Sequence, residues 1–318
     1  MSSSAPPPPS SSSSTSSDVT AADQSSSSSS SSDLCPGSYD ELHKKCKDVF
    51  PIAFDGAKFM IQKGLNQHFQ VTHTVSLMPS THSYRFGATY VGKQMVGPTE
   101  AYPVILVDTD IQGNQSATLV HQLRNLRLRF NSQIQGSKFL GAQLTGEYRG
   151  RLSTLALTTA NPDLIAGSGI WVGSYLRKVH KRLDLGLEYL YQFGRPIPGG
   201  QISQLSYAAR YNGDWCTLSG VLSRNGLHLC YHHKQQEHLQ FAVEWETNLR
   251  MQESTATIGY QAEIPKANVT FRAQADTDWT VSAVLEKRMP PMPFTFAMSG
   301  RLNHARNKSS FGVGLIIG

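Results

Sequence analysis

Long apolar runs are missing from this chain of 318 residues. The longest are short, as in Pro103-Val104-Ile105-Leu106-Val107. A transmembrane helix needs roughly 18 consecutive apolar residues, so helical spans are excluded. Charge is scarce too: 16% of residues are charged, against about 25% in an ordinary soluble domain. Bases are absent from residues 1–43, which hold the acids Asp18, Asp23, Asp33, Asp40 and Glu41. All 29 bases therefore lie in 44–318 beside 18 acids, a surplus of eleven, although the whole chain carries only +6. These bases stand singly or in short groups spread along the chain, and no nucleic acid is expected as a partner.

Cysteine is rare and unpaired in pattern. Cys35, Cys46, Cys216 and Cys230 show no CxxC spacing, which points to free thiols in a reducing compartment. The start lacks the positive region and apolar core of a signal peptide and the arginines of a transit peptide, so no cleaved leader is expected. Nucleotide and hydrolase signatures are missing as well. There is no G-x-x-x-x-G-K-[ST] and no G-x-S-x-G, and Gly167-Ser168-Gly169 lacks the spacing of a dinucleotide fingerprint. His228, His232, His233 and His238 cluster in sequence. On alternating faces of adjacent strands they suit polar strand positions better than a metal site. No catalytic residue, metal or cofactor is expected, and an enzyme is the least favoured class.

What is present is a period of two. In 239–247, Leu239, Phe241, Val243 and Trp245 share one face, and Gln240, Glu244 and Glu246 the other. In 183–193, Leu183, Leu185, Leu187, Tyr189, Tyr191 and Phe193 alternate with Asp184, Gly186, Glu188 and Gln192. The pattern recurs in 254–264 and 267–276, with Phe271 on the apolar side and Glu263, Arg272 and Gln274 on the polar side. Such alternation is a strand with one apolar and one polar face. Turn residues separate the runs: Asn161-Pro162-Asp163, Pro198-Gly199-Gly200, Asn212-Gly213-Asp214, Asn225-Gly226, Asp276-Thr277-Asp278 and Pro290-Pro291. About nineteen strands fit into 57–318, roughly 14 residues for each strand and turn.

Soluble sandwich strands average about 5–6 residues, whereas these runs reach the roughly 9–11 that a tilted strand needs to cross a bilayer. In lipid, each backbone N–H and C=O must pair within the protein, so a meander of strands has to close into a barrel. An odd strand number forces the first and last strands to pair in parallel. The expected fold is all-β: a transmembrane antiparallel β-barrel of about 19 strands around a wet lumen, over 57–318. A short helical segment in or near the pore, 36–56, precedes it. There Ser38 and Glu41 fit a capping box, Tyr39, Leu42, Cys46, Val49 and Phe50 form an apolar stripe, and Pro51 stops the helix. Residues 1–35, Ser-rich with a Pro6–Pro9 run, are expected to be a disordered tail.

The polar faces propose a lumen lining of Glu147, Arg149, Asp184, Glu188, Arg210, Gln240, Glu244, Glu246, Glu263, Arg272 and Gln274. The apolar faces propose lipid contacts at Leu185, Leu187, Leu239, Phe241, Val243, Trp245 and Phe271. Glu244 and Glu246, two apart on one polar face, suit a pore-lining acidic patch better than a glycosidase pair.

Several stretches carry a family resemblance. PGSYDELHKKCKDVFPI leads to KGLNQHFQVTHTVSL; GEYRG follows at 146–150, NPD at 161–163, GSGI at 167–170, RMQ at 250–252, PKAN at 265–268, LEKRMPPMPFTF at 285–296 and LNH from Leu302, and the chain ends FGVGLIIG. Over about 36–318 these resemble the channel-forming subunits of the translocase of the outer mitochondrial membrane, the TOM complex, within the mitochondrial porin superfamily. The resemblance implies a nineteen-stranded barrel of the outer mitochondrial membrane that conducts unfolded precursor proteins and binds their presequences. It implies as partners a receptor subunit, small single-span subunits, a second copy of the barrel, membrane lipid and the sorting and assembly machinery. The signal read by that machinery would fall on Ser310, Gly312, Leu315 and Ile317. A porin-type anion or metabolite channel of the same membrane is the alternative.

Overall fold

The structure, a computed structural model, describes residues 35–78, 82–95, 101–136, 138–163, 168–194 and 199–318. The Ser-rich tail up to residue 34 lies outside the described residues, as do Gly167 of the GSGI motif and Pro198 of one expected turn.

Nineteen strands follow one another along the chain. The first seven are β1 (Gly56–Asn66), β2 (Phe69–Leu77), β3 (His82–Met95), β4 (Ala101–Asp110), β5 (Gln115–Leu123), β6 (Leu126–Gln135) and β7 (Lys138–Arg149). Then come β8 (Ser153–Asp163), β9 (Ser168–His180), β10 (Leu183–Phe193), β11 (Gln201–Asn212), β12 (Cys216–Ser223) and β13 (Gly226–Gln236). The last six are β14 (Leu239–Asn248), β15 (Glu253–Ile264), β16 (Val269–Asp276), β17 (Thr280–Met289), β18 (Phe294–Asn303) and β19 (Lys308–Ile317). Chain neighbours pair antiparallel, as in β10 with β11 and β18 with β19. β1 also pairs with β19 in parallel, from Gly56 opposite Gly312 to Ile61 opposite Ile317, and this closes the circle. Among the described residues no strand edge is left for another chain to join. A ten-residue strand tilted by about 40° rises about 25 Å, the height of a barrel's apolar band.

Closure gives the alternation its meaning. Leu185, Leu187, Val243 and Trp245 are exposed on the outer face, and Leu239, Phe241 and Phe271 share it at half-burial. Tyr260 packs between Phe241 and Phe271 there, its ring 5.3 Å and 6.3 Å from theirs. The inner face carries Asp184, Ser206, Ser219, His232, Gln261, Ser282 and Ser299, all buried. At this strand number a round barrel spans about 38 Å between opposite backbones.

Two local expectations change, and one turn is unusual. The helix foreseen across 38–50 is two pieces, a 3₁₀ turn at Tyr39–Glu41 and a single turn α1 (Lys44–Lys47). A helix this short cannot stand on backbone bonds alone, and contacts with the wall dictate its shape. Asn161-Pro162-Asp163 is the end of β8 rather than a turn. Asn161 adopts a φ of +47°, and the register with β9 slips between Ala160 and Asp163; Pro belongs in a sheet only at such irregularities. Trp279 precedes β17 in a left-handed turn position, φ +56°, its N–H bonded to the Asp276 carbonyl at 3.2 Å.

Candidate functional site: the pore segment and the lumen wall

Residues 35–55 run across the strands on the inner face, touching the wall from β8 round to β19. Cys35 Sγ lies 3.7 Å from Thr154 Oγ1 of β8. The guanidinium of Arg210, in β11, donates to the Pro36 carbonyl. Leu42 packs with Leu176 and Ala208, and Tyr39 and Val221 flank them. His43 Nδ1 meets Ser219 Oγ at 2.8 Å. Cys46 and Val49 pack on Cys230 and Ala242, with Phe50 beside them. Finally the Phe54 N–H donates to Ser299 Oγ of β18 at 3.0 Å. A stretch of this length can reach so many strands only from inside the circle.

The segment docks because its apolar stripe meets small wall residues. Val49 has no exposed surface and Leu42 is 2% exposed, each burial contributing about 1.5–3 kcal/mol. Ala208 and Ala242 leave room for them. Gly259 faces the Phe50 ring so closely that a Cβ would stand 2.6 Å from it, and Gly312 lies under Phe54. His43, at the N-cap position of α1, makes no cap with its side chain; its ring goes to the wall instead. Burial, with the nearby His228 and Lys47, lowers its pKa to about 4, so His43 is neutral; Glu244 opposes the shift. Burial and Arg210 also hold the Lys45 ammonium below its usual value, against the pull of Asp184.

Val49→Asp removes this burial and sets a charge against Cys230 and Ala242. The docked state should lose more than the ~1.4 kcal/mol that equals a tenfold shift in population. Maleimide labelling of Cys46, 3% exposed, is expected to accelerate at least about tenfold in the folded barrel. An unchanged rate would mean that Val49 does not hold the segment.

The proposed lining residues fall into two groups. Some are tied within the wall: Arg149 Nε to Glu147 Oε1 at 2.8 Å, and Arg210 to Asp184 Oδ2 at 2.7 Å with Asn212 Nδ2 at 3.0 Å. Others reach toward the open lumen. Glu246 is 3.4 Å from His228 with its side chain 58% exposed. Glu263 accepts from Gln261 Nε2 at 2.8 Å, Arg272 donates to the same Gln261 and lies 3.6 Å from Glu286, and Gln240 accepts from His232 Nε2 at 3.1 Å. Glu188 lies close enough to Tyr39 to help hold that phenol protonated, after burial itself. Gln274 lies in a polar recess with Asp55, Asp276 and Arg301. Glu244 contacts His228 at 2.7 Å and Lys47 at 4.0 Å.

Two features escaped the sequence reading. His228 and His232 share the inner face of β13 with Cys230 and look onto the pore segment, while His233 lies opposite Phe241 on the outer face and His238 in the turn that follows. The small residues at Ala208, Ala242, Gly259 and Gly312 are its footprint; small inner positions clustered in β11–β19 were the available signal.

On β19, Ser310 and Gly312 face inward and Leu315 and Ile317 outward. A Cβ on Gly312 would collide with the Phe54 carbonyl, a backbone atom. Gly312→Ala is therefore expected to destabilise the folded barrel by about 1–3 kcal/mol, read as a lower urea midpoint. An unshifted midpoint would show that the segment yields freely at the seam.

The wall and segment have known counterparts. The eukaryotic porin family model matches residues 35–314. The mitochondrial import receptor subunit TOM40 homolog of Caenorhabditis elegans is 55% identical over 284 residues, covering 89% of this chain and 94% of that protein. The Drosophila melanogaster TOM40 homolog 2 is 50% identical over 285 residues, covering 89% of this chain and 84% of its own length. The Homo sapiens TOM40 homolog is 44% identical over 285 residues, covering 89% and 78%.

Proposed function

This chain belongs to the eukaryotic porin family, among the mitochondrial import receptor subunits, and from that premise we propose how its lumen handles a passing polypeptide. It is a protein-import channel of the outer mitochondrial membrane and a member of the TOM complex. The family and the named relatives are transport proteins. No catalytic role is proposed for Glu244 and Glu246, whose carboxylates lie against His228.

The supporting observation is the pore segment on the wall between β8 and β19. It narrows the lumen on that side, and among the described residues its hydrogen bonds and packing fall on β8 to β19. From the barrel's width, after side chains and a segment about 10–12 Å thick, about 16 Å remains, enough for an extended chain or one helix. Asp184 and Glu147 are spent in ion pairs, so attraction for a basic presequence falls to Glu188, Glu246 and Glu263. Several weak sites, screened by neighbouring bases, let a cationic chain enter and leave. The proposed partners are precursor proteins, a receptor subunit, small single-span subunits, a second barrel and lipid. The sorting machinery would read Ser310, Gly312, Leu315 and Ile317.

Planar-bilayer recording of the reconstituted chain tests this. A cationic presequence peptide is expected to block conductance reversibly. The double variant Glu246→Gln, Glu263→Gln should require about tenfold more peptide, a loss of roughly 1.4 kcal/mol over two exposed contacts. No block and no binding by the parent channel would overturn the proposal.

A further inference from the structure

We propose that His43, His228, Cys230 and Glu244 form a binding site for one divalent transition-metal ion, Zn2+ by ligand type, which staples the pore segment to β13 and β14. His43, His228 and Cys230 each present a ligand atom within 4.8 Å of the others. His228 Nε2 lies 3.3 Å from Cys230 Sγ and 2.7 Å from Glu244 Oε1, and that oxygen is 3.9 Å from the sulfur. Ligand atoms around a tetrahedral zinc, bonded at about 2.0–2.3 Å, stand roughly 3.2–3.8 Å apart. His43, His228 and Cys230 thus converge to within about 1 Å of that geometry, and Glu244 stands beside His228 and Cys230 as the fourth ligand.

A second observation points the same way. Ser219 Oγ engages His43 Nδ1. The other ring nitrogen, Nε2, is buried and has no hydrogen-bond partner. A buried ring nitrogen without a partner is costly, and a metal would satisfy it. Ser219 would fix the tautomer from behind, as outer-shell partners of ligating histidines do. Two imidazoles, one thiolate and one carboxylate suit zinc; calcium and magnesium take oxygen ligands. The charges also cancel: Zn2+ meets one thiolate and one carboxylate, leaving a neutral cluster. Binding forms four metal–ligand bonds; the Cys230 thiol proton leaves to solvent together with water from the ion, and the Nε2 proton of His228, which faces the Glu244 carboxylate, moves to Nδ1 so that Nε2 can ligate. Cys46 hydrogen-bonds to Cys230 and to the carbonyls of Val243 at 3.6 Å and Tyr231 at 3.9 Å, but it is not grouped with the two histidines, so it is not among the ligands.

The site joins the segment to the wall whatever the pore carries. Its test uses the full chain, folded in detergent, reduced and stripped with a chelator. Titration with Co2+, the spectroscopic stand-in for zinc, is expected to saturate at one ion per chain. It should raise tetrahedral d–d bands and a thiolate-to-cobalt charge-transfer band, and Zn2+ should erase both. Cys230→Ser should abolish the charge-transfer band, while Cys46→Ser and Cys216→Ser keep it. His43 lies outside the barrel strands, so His43→Ala leaves the wall able to fold, and it should weaken Zn2+ at least about tenfold. Circular dichroism checks that each variant keeps its strands. The site is overturned by absent saturation, by a charge-transfer band that survives Cys230→Ser, or by unchanged affinity in His43→Ala.

Discussion

An arginine placed at Val243 is expected to cost the folded barrel about 2–4 kcal/mol, and one at Phe241 nearly as much. Val243 is the fifth of ten residues in β14, flanked outside by Tyr231 and Ile258. Its side chain meets hydrocarbon near the midplane, where a guanidinium finds no water. Gln240 is one residue from Phe241 on the same strand but faces the lumen, where its amide meets His232. Gln240→Arg leaves the charge in water and should cost much less. Urea unfolding of barrels folded into lipid vesicles measures the difference. Equal midpoints for Val243→Arg and Gln240→Arg would show that the two faces are interchanged. A one-residue slip of register would also reverse the order, because it turns each side chain of a strand to the opposite face.

Loss of Asp184 should cost about 3–5 kcal/mol, since removing one partner of a buried pair leaves the other charge uncompensated. The Asp184 side chain is 1% exposed and that of Arg210 12%. Arg210 reaches Asp184 Oδ2 from two nitrogens, Nε at 3.0 Å and the terminal nitrogen at 2.7 Å. The same guanidinium holds the Pro36 carbonyl, so Asp184→Ala should lower the urea midpoint and also loosen the start of the pore segment. Protease cleavage within 35–55 reads the second effect. The contrast is Arg182 with Asp214, also 2.7 Å apart but open to solvent. Arg182→Ala is expected to leave the midpoint unchanged, because water and salt screen such a pair. If the two variants behave alike, the Asp184–Arg210 pair is solvated and the wall beneath the segment is wet.

Much of the barrel was legible because alternation is a local property. Leu239, Phe241, Val243 and Trp245 mark one face of β14 without reference to anything else in the chain. Asn225-Gly226 marks a turn by itself. Residues that break local rules escape such patterns. Asn161 takes a left-handed conformation inside a strand end, and Trp279 takes one in a turn, where a bulky residue is seldom found. The helix is shorter than its apolar stripe because Tyr39, Leu42, Cys46, Val49 and Phe50 record what must be buried, not the backbone shape that buries it.

The lumen was harder to read. Parity along each strand gives the face of Asp184 or Glu147, but not whether the side chain stands free or is spent in an ion pair. His43 and His228 are 185 positions apart in the chain, yet their rings lie 4.2 Å apart. Cys46 and Cys230 share one apolar cluster from similarly distant places. No spacing rule connects them, because the path between them passes through most of the barrel.

By itself the sequence determined the strand number, the two faces of strands such as β10 and β14 and the need for closure, since each follows from the two-residue period and from backbone hydrogen bonding in lipid. Only the tertiary structure decided that the pore segment lies across β8 to β19, that small inner residues there are its seat, and that His43 meets His228 and Cys230. The physical reason is the same in each case: closing a circle brings distant strands and a free segment to one inner surface, and contacts made there depend on the whole circumference rather than on any stretch of chain.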